Sequence, residues 1–166
     1  MPLRLLCASL LLLLGACAST GHRPPSSHQP PRHQPPPAPG QKAPQPQGGV
    51  KIGKPYVVMG KTYVPADDRG YDQQGIASWY GPTFHTKPTA NGEIYNQDDV
   101  TAAHKTLPMP SWVEVQNLDN GRKLVVRIND RGPFVRGRII DVSTAAAEEL
   151  GFRRRGVTKV DIAVID

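Results

Sequence analysis

Short runs in which apolar and polar residues alternate with a period of two recur along the second half of the chain, the pattern of half-buried β-strands. Tyr56-Val57-Val58 and Thr62-Tyr63-Val64 flank Met59-Gly60-Lys61 and predict a small hairpin with glycine in its turn. Ile76 to Tyr80 predicts the next strand, stopped by Gly81-Pro82. Trp112 to Gln116 and Lys123 to Asn129 are joined by Leu118-Asp119-Asn120-Gly121, and Asn-Gly between alternating runs is a strong hairpin signal. Arg138 to Val142 and Val157 to Ile165 complete the strands. Asp98 to Ala103, with acids at its start, predicts one or two helical turns. Ser143 is the expected cap of a short helix, Thr144 to Leu150, ended by Gly151. Short strands and two helical inserts in about 95 residues predict a mostly β fold, a small closed barrel that hides its strand edges.

The chain upstream has a different character. In residues 1–17, Arg4 supplies a positive end and Leu5 to Leu14 an apolar stretch too short to span a membrane, which predicts a secretory signal. Its ending, Leu14-Gly15-Ala16-Cys17, resembles a bacterial lipobox, and the alternative is a plain signal peptide with a chance cysteine. Cys7 lies inside the cleaved segment, so a mature chain keeps Cys17 alone and no disulfide framework is expected. On the lipobox reading Cys17 is the lipidation site. Several acyl chains at ~0.8 kcal/mol per buried methylene give a permanent anchor to a bacterial membrane on its periplasmic face. Ala18 after the cysteine favours the outer membrane.

Residues 18–49 are dominated by Pro, Gln, Ser, Gly and His and lack the apolar surface to fold. They predict a disordered tether that extends by about 3.1 Å per residue, a reach on the order of 100 Å. Residues 50–74 hold the hairpin extension and 75–166 the barrel. Residues 1–66 carry seven Lys and Arg and no acid, whereas the rest holds thirteen against fourteen Asp and Glu. A basic tail on a nearly neutral domain argues against nucleic acid as a partner of the folded part. Arg153-Arg154-Arg155 is its one basic cluster and is expected in a solvated loop.

The sharpest chemical candidate is Asp130. Leu124, Val126, Ile128 and Asp130 are expected on one face, with a carboxylate at the rim of apolar packing and Asn129 and Arg131 pointing away. Apolar surroundings raise a carboxyl pKa, and the Gly132-Pro133 turn would hold the group still. The competing role is structural, an acid bonding backbone amides of its own turn.

From Gly75 onward four blocks occur in order: Ala77-Ser78-Trp79-Tyr80-Gly81, Thr89-Ala90-Asn91-Gly92-Glu93, Thr101 to Pro108, and Asn129-Asp130-Arg131-Gly132-Pro133-Phe134. Together they resemble the rare lipoprotein A family of septal lytic transglycosylases. The resemblance covers roughly residues 50–166. It implies a six-stranded double-psi β-barrel and an endolytic enzyme acting on peptide-free peptidoglycan strands. Such an enzyme cleaves between N-acetylmuramic acid and N-acetylglucosamine and leaves 1,6-anhydromuramoyl ends during wall remodelling and division. The implied functional residues are Glu93, His104 and Asp130. Many members carry a further SPOR domain that targets the septum; none is expected after Asp166.

A lytic transglycosylase needs less apparatus than a hydrolase, because the sugar's own C6 hydroxyl is the tethered nucleophile. One group donates a proton to the leaving oxygen and takes one from the hydroxyl, a role that suits Asp130 with a raised pKa. Glu93 would share the proton work or stabilise charge at C1, and His104 would orient an acid or touch the sugar. Glu93 after Asn91-Gly92 reads equally as a solvated loop acid, and His104 as a helix-end histidine. Tyr80 and Tyr95 are candidates to stack on sugar rings, Asn129 and Arg131 to bind substrate, and Trp79 to do either that or fill the core. Asp141 is read as structural, bonding the Ser143 turn. No cofactor is expected. A metal site from His85, Glu93 and His104 lacks ligand spacing and is rejected. The expected partners are glycan strands, the membrane through Cys17 and, in a third reading, cell-division proteins. The main alternative to the enzyme is a non-catalytic, expansin-like wall-binding lipoprotein.

Overall fold

A computed structural model describes Ala38 and residues 50–165 of the chain. The expected signal, lipidation site at Cys17 and most of the tether lie outside the described residues. Two strands, β1 (Tyr56–Val58) and β2 (Lys61–Tyr63), form the expected hairpin as a sheet of their own. Six more close a barrel: β3 (Asp72–Trp79), β4 (Thr101–His104), β5 (Ser111–Asn117), β6 (Lys123–Asp130), β7 (Arg138–Val142) and β8 (Val157–Val164). Their order around the barrel is β3-β7-β4-β6-β5-β8. Two pairings, β3 with β7 and β4 with β6, are parallel and the other four antiparallel. Closure pairs every strand on both sides, as expected for a six-stranded barrel of this length.

One element differs in kind from expectation. Residues 98–103 are not helical: Asp98 and Asp99 sit in a turn bonded to Asn96, and Thr101–His104 is a strand buried along its whole length. Two alanines favour a helix in isolation, but burial on both faces between β6 and β7 decides the matter. The Thr144–Glu149 helix, α1, forms as expected, and the Ser143 hydroxyl accepts from the Ala146 amide.

The core gathers Val113, Val115, Val126, Ile128, Ile140, Val142, Val160 and Ile162 from the barrel, with Leu150 and Phe152 from the α1 side. Gly75 sits where β3 crosses β7, and a Cβ there would stand 2.6 Å from the Ile139 side chain. A larger residue would push the two strands apart. Trp79 packs at the edge of this core, its indole N–H donating to the Arg153 carbonyl at 3.1 Å. That contact, with ion pairs from Arg153 to Glu148 and from Arg155 to Asp119, pins the otherwise exposed basic cluster.

Candidate active site

The strand pairing lays out the site. Ser78 pairs with Asp141, Asp141 with Ala103 and Ala103 with Asp130, so one row crosses β3, β7, β4 and β6. Its chain neighbours Ala77, Ala102, Ile140 and Val142 belong to the core, so the row lies on the barrel's outer face. Between Ala102 and Ala103 the β4–β6 register slips, and Asn129 and Asp130 together oppose Ala103. This corrects the alternation expected for Asp130. Ile128 faces the core, but the extra residue turns Asp130 onto the other face, the use to which bulges beside functional sites are commonly put. Small residues keep the space open: Gly132, at φ 139°, stands with its Cβ position 3.7 Å from the Ala103 methyl.

Asp130 is half-buried, and its two oxygens differ. Oδ1 accepts from the Ala90 and Arg131 amides, both at 2.8 Å. Oδ2 has no hydrogen-bond partner among the described residues. Burial raises the pKa above the usual carboxylate value, and the two amides and the Arg131 charge only partly offset it. The group is held by one oxygen and offers the other.

Glu93 is the opposite case. Arg127 grips it with both guanidinium nitrogens at 2.6 and 2.8 Å, Asn129 donates at 3.0 Å and Asn91 at 2.8 Å. Burial works to raise its pKa, but these donors outweigh it and hold the carboxylate down to about 2. A proton-sharing role, expected from the sequence, does not suit an acid so firmly ionised. Glu93 instead fixes the turn 89–93, from which Ala90 reaches Asp130, and it fixes Asn129, the extra residue of the slipped register.

His104 is also a fixture. It is 3% exposed; Nε2 bonds the Tyr71 hydroxyl at 3.1 Å, and Nδ1 accepts from the Thr106 and Leu107 amides. Burial first, then Lys105 and Arg131, push its pKa down to about 3, so the imidazole is neutral. It touches neither carboxylate, and direct sugar contact is corrected to a buried brace at the end of β4.

Three binding assignments change with burial. Tyr95 is 2% exposed and packs under Tyr80, ring centroids 4.4 Å apart, so it presents no face to a sugar. Asn129 is 2% exposed, with its amide committed to Glu93. Arg131 spends its guanidinium on the carbonyls of Leu107, His104 and Ile52, tying the 50s segment to the barrel. Tyr80 is partly buried. Its hydroxyl is buried within electrostatic reach of Asp130 and Asp141 and raised well above the ordinary phenol range, chiefly by desolvation. It lies beside the Thr101 hydroxyl, and neither group completes a hydrogen bond.

Asp141, read from the sequence as a structural acid, has other partners than expected. It does not bond the Ser143 turn, whose hydroxyl donates to the Asp99 carbonyl. It shares Asp130's row, two strands away at roughly 10 Å by ordinary strand spacing. Burial raises its pKa against the pull of Arg138, which donates to Oδ2 at 2.7 Å, while Oδ1 is buried without a partner. The available signal was its alternation: Ile140 and Val142 both face the core, so Asp141 must face away with Asp130. Among the described residues no three of His, Cys, Asp and Glu cluster as metal ligands. His85 Nδ1 accepts from the Gln97 amide, apart from Glu93 and His104.

A family model described as lytic transglycolase matches residues 72–162, the span of the barrel from β3 to β8. An endolytic peptidoglycan transglycosylase RlpA from Pseudomonas aeruginosa is 53% identical over 124 residues, which is 74% of this chain and 36% of that protein. The protein of the same name from Vibrio cholerae is 45% identical over 163 residues, 94% of this chain and 61% of that one. The chain thus spans about a third of the length of the Pseudomonas relative. Among solved structures, a Streptomyces papain inhibitor aligns at TM-score 0.47 and 20% identity over 61% of this chain and all of its own. A Clavibacter michiganensis expansin bound to cellohexaose aligns at 0.48 and 14% identity, over 58% of this chain and 51% of its own.

Proposed function

This chain belongs to the lytic transglycolase family, and from that premise we propose that it is an endolytic peptidoglycan lytic transglycosylase with Asp130 as its acid and base. The observation that carries the assignment is the asymmetry of Asp130, with Oδ1 tied to two amides and Oδ2 free. Protonated Oδ2 gives its proton to the oxygen between N-acetylmuramic acid and N-acetylglucosamine as the bond from C1 breaks. The C6 hydroxyl of the muramoyl residue then bonds to C1 and returns its proton to the carboxylate, closing a 1,6-anhydro ring without water. The raised pKa of Asp130 supplies the protonated fraction. Tyr80 lies within electrostatic reach of Asp130, while Glu93, through the 89–93 turn, and His104, through the end of β4, position the acid.

Strands stripped of peptide are the proposed substrate, cut internally, with glycan as the partner in the wall. The lipobox at Cys17 supports an anchored protein at the periplasmic face of a bacterial membrane, the outer one favoured, with a tether long enough to let the domain search the wall.

The test is incubation of residues 50–166, or the full chain, with peptide-free glycan strands and mass spectrometry of the products. Anhydromuramoyl ends from wild type and none from Asp130→Asn are expected. Glycan binding without any anhydro product would replace the enzyme by an expansin-like binding module.

A further inference from the structure

A second feature adjoins Asp130 and takes no part in the chemistry above. The loop from Asp130 to Arg138 joins the two strands that carry the aspartates, and opposite it stands the β1–β2 hairpin outside the barrel. Between them lies a cavity of about 350 Å³, within the size range of small-ligand clefts. Tyr63 and Phe134 form its apolar wall, with ring centroids 5.5 Å apart, and Tyr56 buttresses both. Lys61, Lys105 and Arg136 line it, and no acid does. Among the described residues none of the three cations is in a salt bridge. Lys105 is half-buried with Nζ donating to the Arg138 carbonyl; desolvation first, then Lys61, lower its pKa, and Asp141 pulls partly the other way. Three cations with a single carboxylate, Asp141, within electrostatic reach of Lys105 still repel one another, and an anion in their midst relieves that cost.

We propose that this cavity is a carboxylate subsite of the glycan groove, which recognises the free lactyl carboxylate borne by a muramoyl residue. The proposal rests on the lytic reading above and adds the feature by which the site selects its strand. Peptidoglycan glycan is otherwise a neutral polymer of N-acetylated sugars, and its repeated acidic group is the lactyl side chain on muramic acid. A stem peptide converts that carboxylate into an amide and removes the charge at that position, whereas a peptide-free strand presents it. Lys105 stands two residues beyond Ala103, at most roughly 7 Å along the strand from the row that holds Asp130. That places the cations where a substituent of a bound sugar ring reaches, with the ring itself against Tyr63 or Phe134. The hairpin thereby acquires a function: Lys61 and Tyr63 are its contribution to the subsite.

Stem peptides carry carboxylates of their own, so the experiment separates the two sources. Binding of the Asp130→Asn domain, which leaves strands intact, is measured against peptide-free strands, against the same strands with lactyl carboxylates converted to methylamides, and against strands that keep their stems. The same three ligands are offered to a Lys61→Gln, Arg136→Gln double variant, whose changes fall on exposed side chains. The expected result is about tenfold weaker binding of methylamide strands than of free-acid strands at low salt. That difference should shrink with added salt and vanish in the double variant. Equal binding of free-acid and methylamide strands overturns the proposal, as does a double variant that still distinguishes them. Tightest binding to stem-bearing strands, lost in the double variant, also overturns it and moves the carboxylate to the peptide. The lytic reading is judged separately by anhydro products from the wild-type domain. Their formation at equal rates from both peptide-free ligands would sink the subsite alone, and charge-dependent binding without products would sink only the enzyme.

Discussion

Asp130 and Glu93 are two carboxylates on either side of one short turn, and their surroundings differ in kind. Glu93 has a donor for every lone pair it needs and is ionised down to a pH of about 2. Asp130 has amides on one oxygen only, and burial raises its pKa. A saturated carboxylate behaves as an anchor, since every proton it accepts costs a hydrogen bond. A half-satisfied one can exchange a proton without dismantling its support. The division of labour follows from counting donors, and both residues can be indispensable to the reaction while only one takes part in it.

The largest effect separates the two roles. Asp130→Asn keeps an oxygen for the two amides but loses the exchangeable proton. Production of anhydro ends should fall by about 10³-fold, within the usual range for a general acid, with the melting temperature nearly unchanged. Asp141→Asn is the matched control from two strands along the row and should cost far less activity, because Asp141 is 9% exposed and held by Arg138. If the 141 variant is dead and the 130 variant active, the acid has been assigned to the wrong member of the row.

Glu93→Gln should reverse the order of symptoms. It leaves the Arg127 charge unpaired where both side chains are nearly buried, a loss of about 3 kcal/mol in stability seen as a lower unfolding midpoint. Activity should fall as well, because the Ala90 amide that holds Asp130 belongs to the turn Glu93 secures. A Glu93→Gln protein as stable as wild type but inactive would place Glu93 among the reacting groups and break the contrast.

Local pattern reached some of these facts and not others. The two hairpins, β7 and the capped α1 were readable because alternation, Asn-Gly, and a Ser–Gly pair bracketing a short run are local signals. The strand at Thr101–His104 was not, since Thr-Ala-Ala-His takes its conformation from β6 and β7, both distant in sequence. The same limit applies to the site. Asp130 could be singled out, but the slip that turns it outward arises from pairing with β4. Glu93 and His104 were named from their motifs, yet their parts depend on Arg127 and Tyr71, residues 34 and 33 positions away. Burial of Tyr95 and Asn129 is likewise a product of closure, invisible where composition suggests an exposed turn.

His104 extends the contrast to pH. In the fold its imidazole stays neutral down to about 3, whereas the unfolded chain takes up a proton near 6.5. Between those values the unfolded chain binds more protons, so stability is fullest above 6.5 and declines as pH falls toward 3, by on the order of a few kcal/mol. Glu93 adds its own loss below its ordinary value of 4.5 as pH approaches 2. His104→Gln should be less stable than wild type at pH 7 and flatter from 6.5 to 3 in denaturant titrations. An unchanged slope would mean the imidazole is already charged in the fold, and its role as a neutral brace would fail.

The smallest expected effect is at Tyr80, where the hydroxyl completes no hydrogen bond and is hidden from water. If it served stability alone, its presence would be hard to explain, since an unsatisfied buried hydroxyl costs free energy that phenylalanine avoids. Tyr80→Phe should therefore melt at the same temperature as wild type or slightly higher. Removing a dipole within reach of Asp130 should still disturb the acid, lowering anhydro production by about tenfold and moving the pH at which the rate declines. That decline comes as pH rises through the Asp130 pKa, because the protonated form starts the reaction. A Tyr80→Phe protein with a lower melting temperature and an unaltered pH profile would make the hydroxyl part of the packing, and leave Asp130 tuned by burial, its two amides and Arg131.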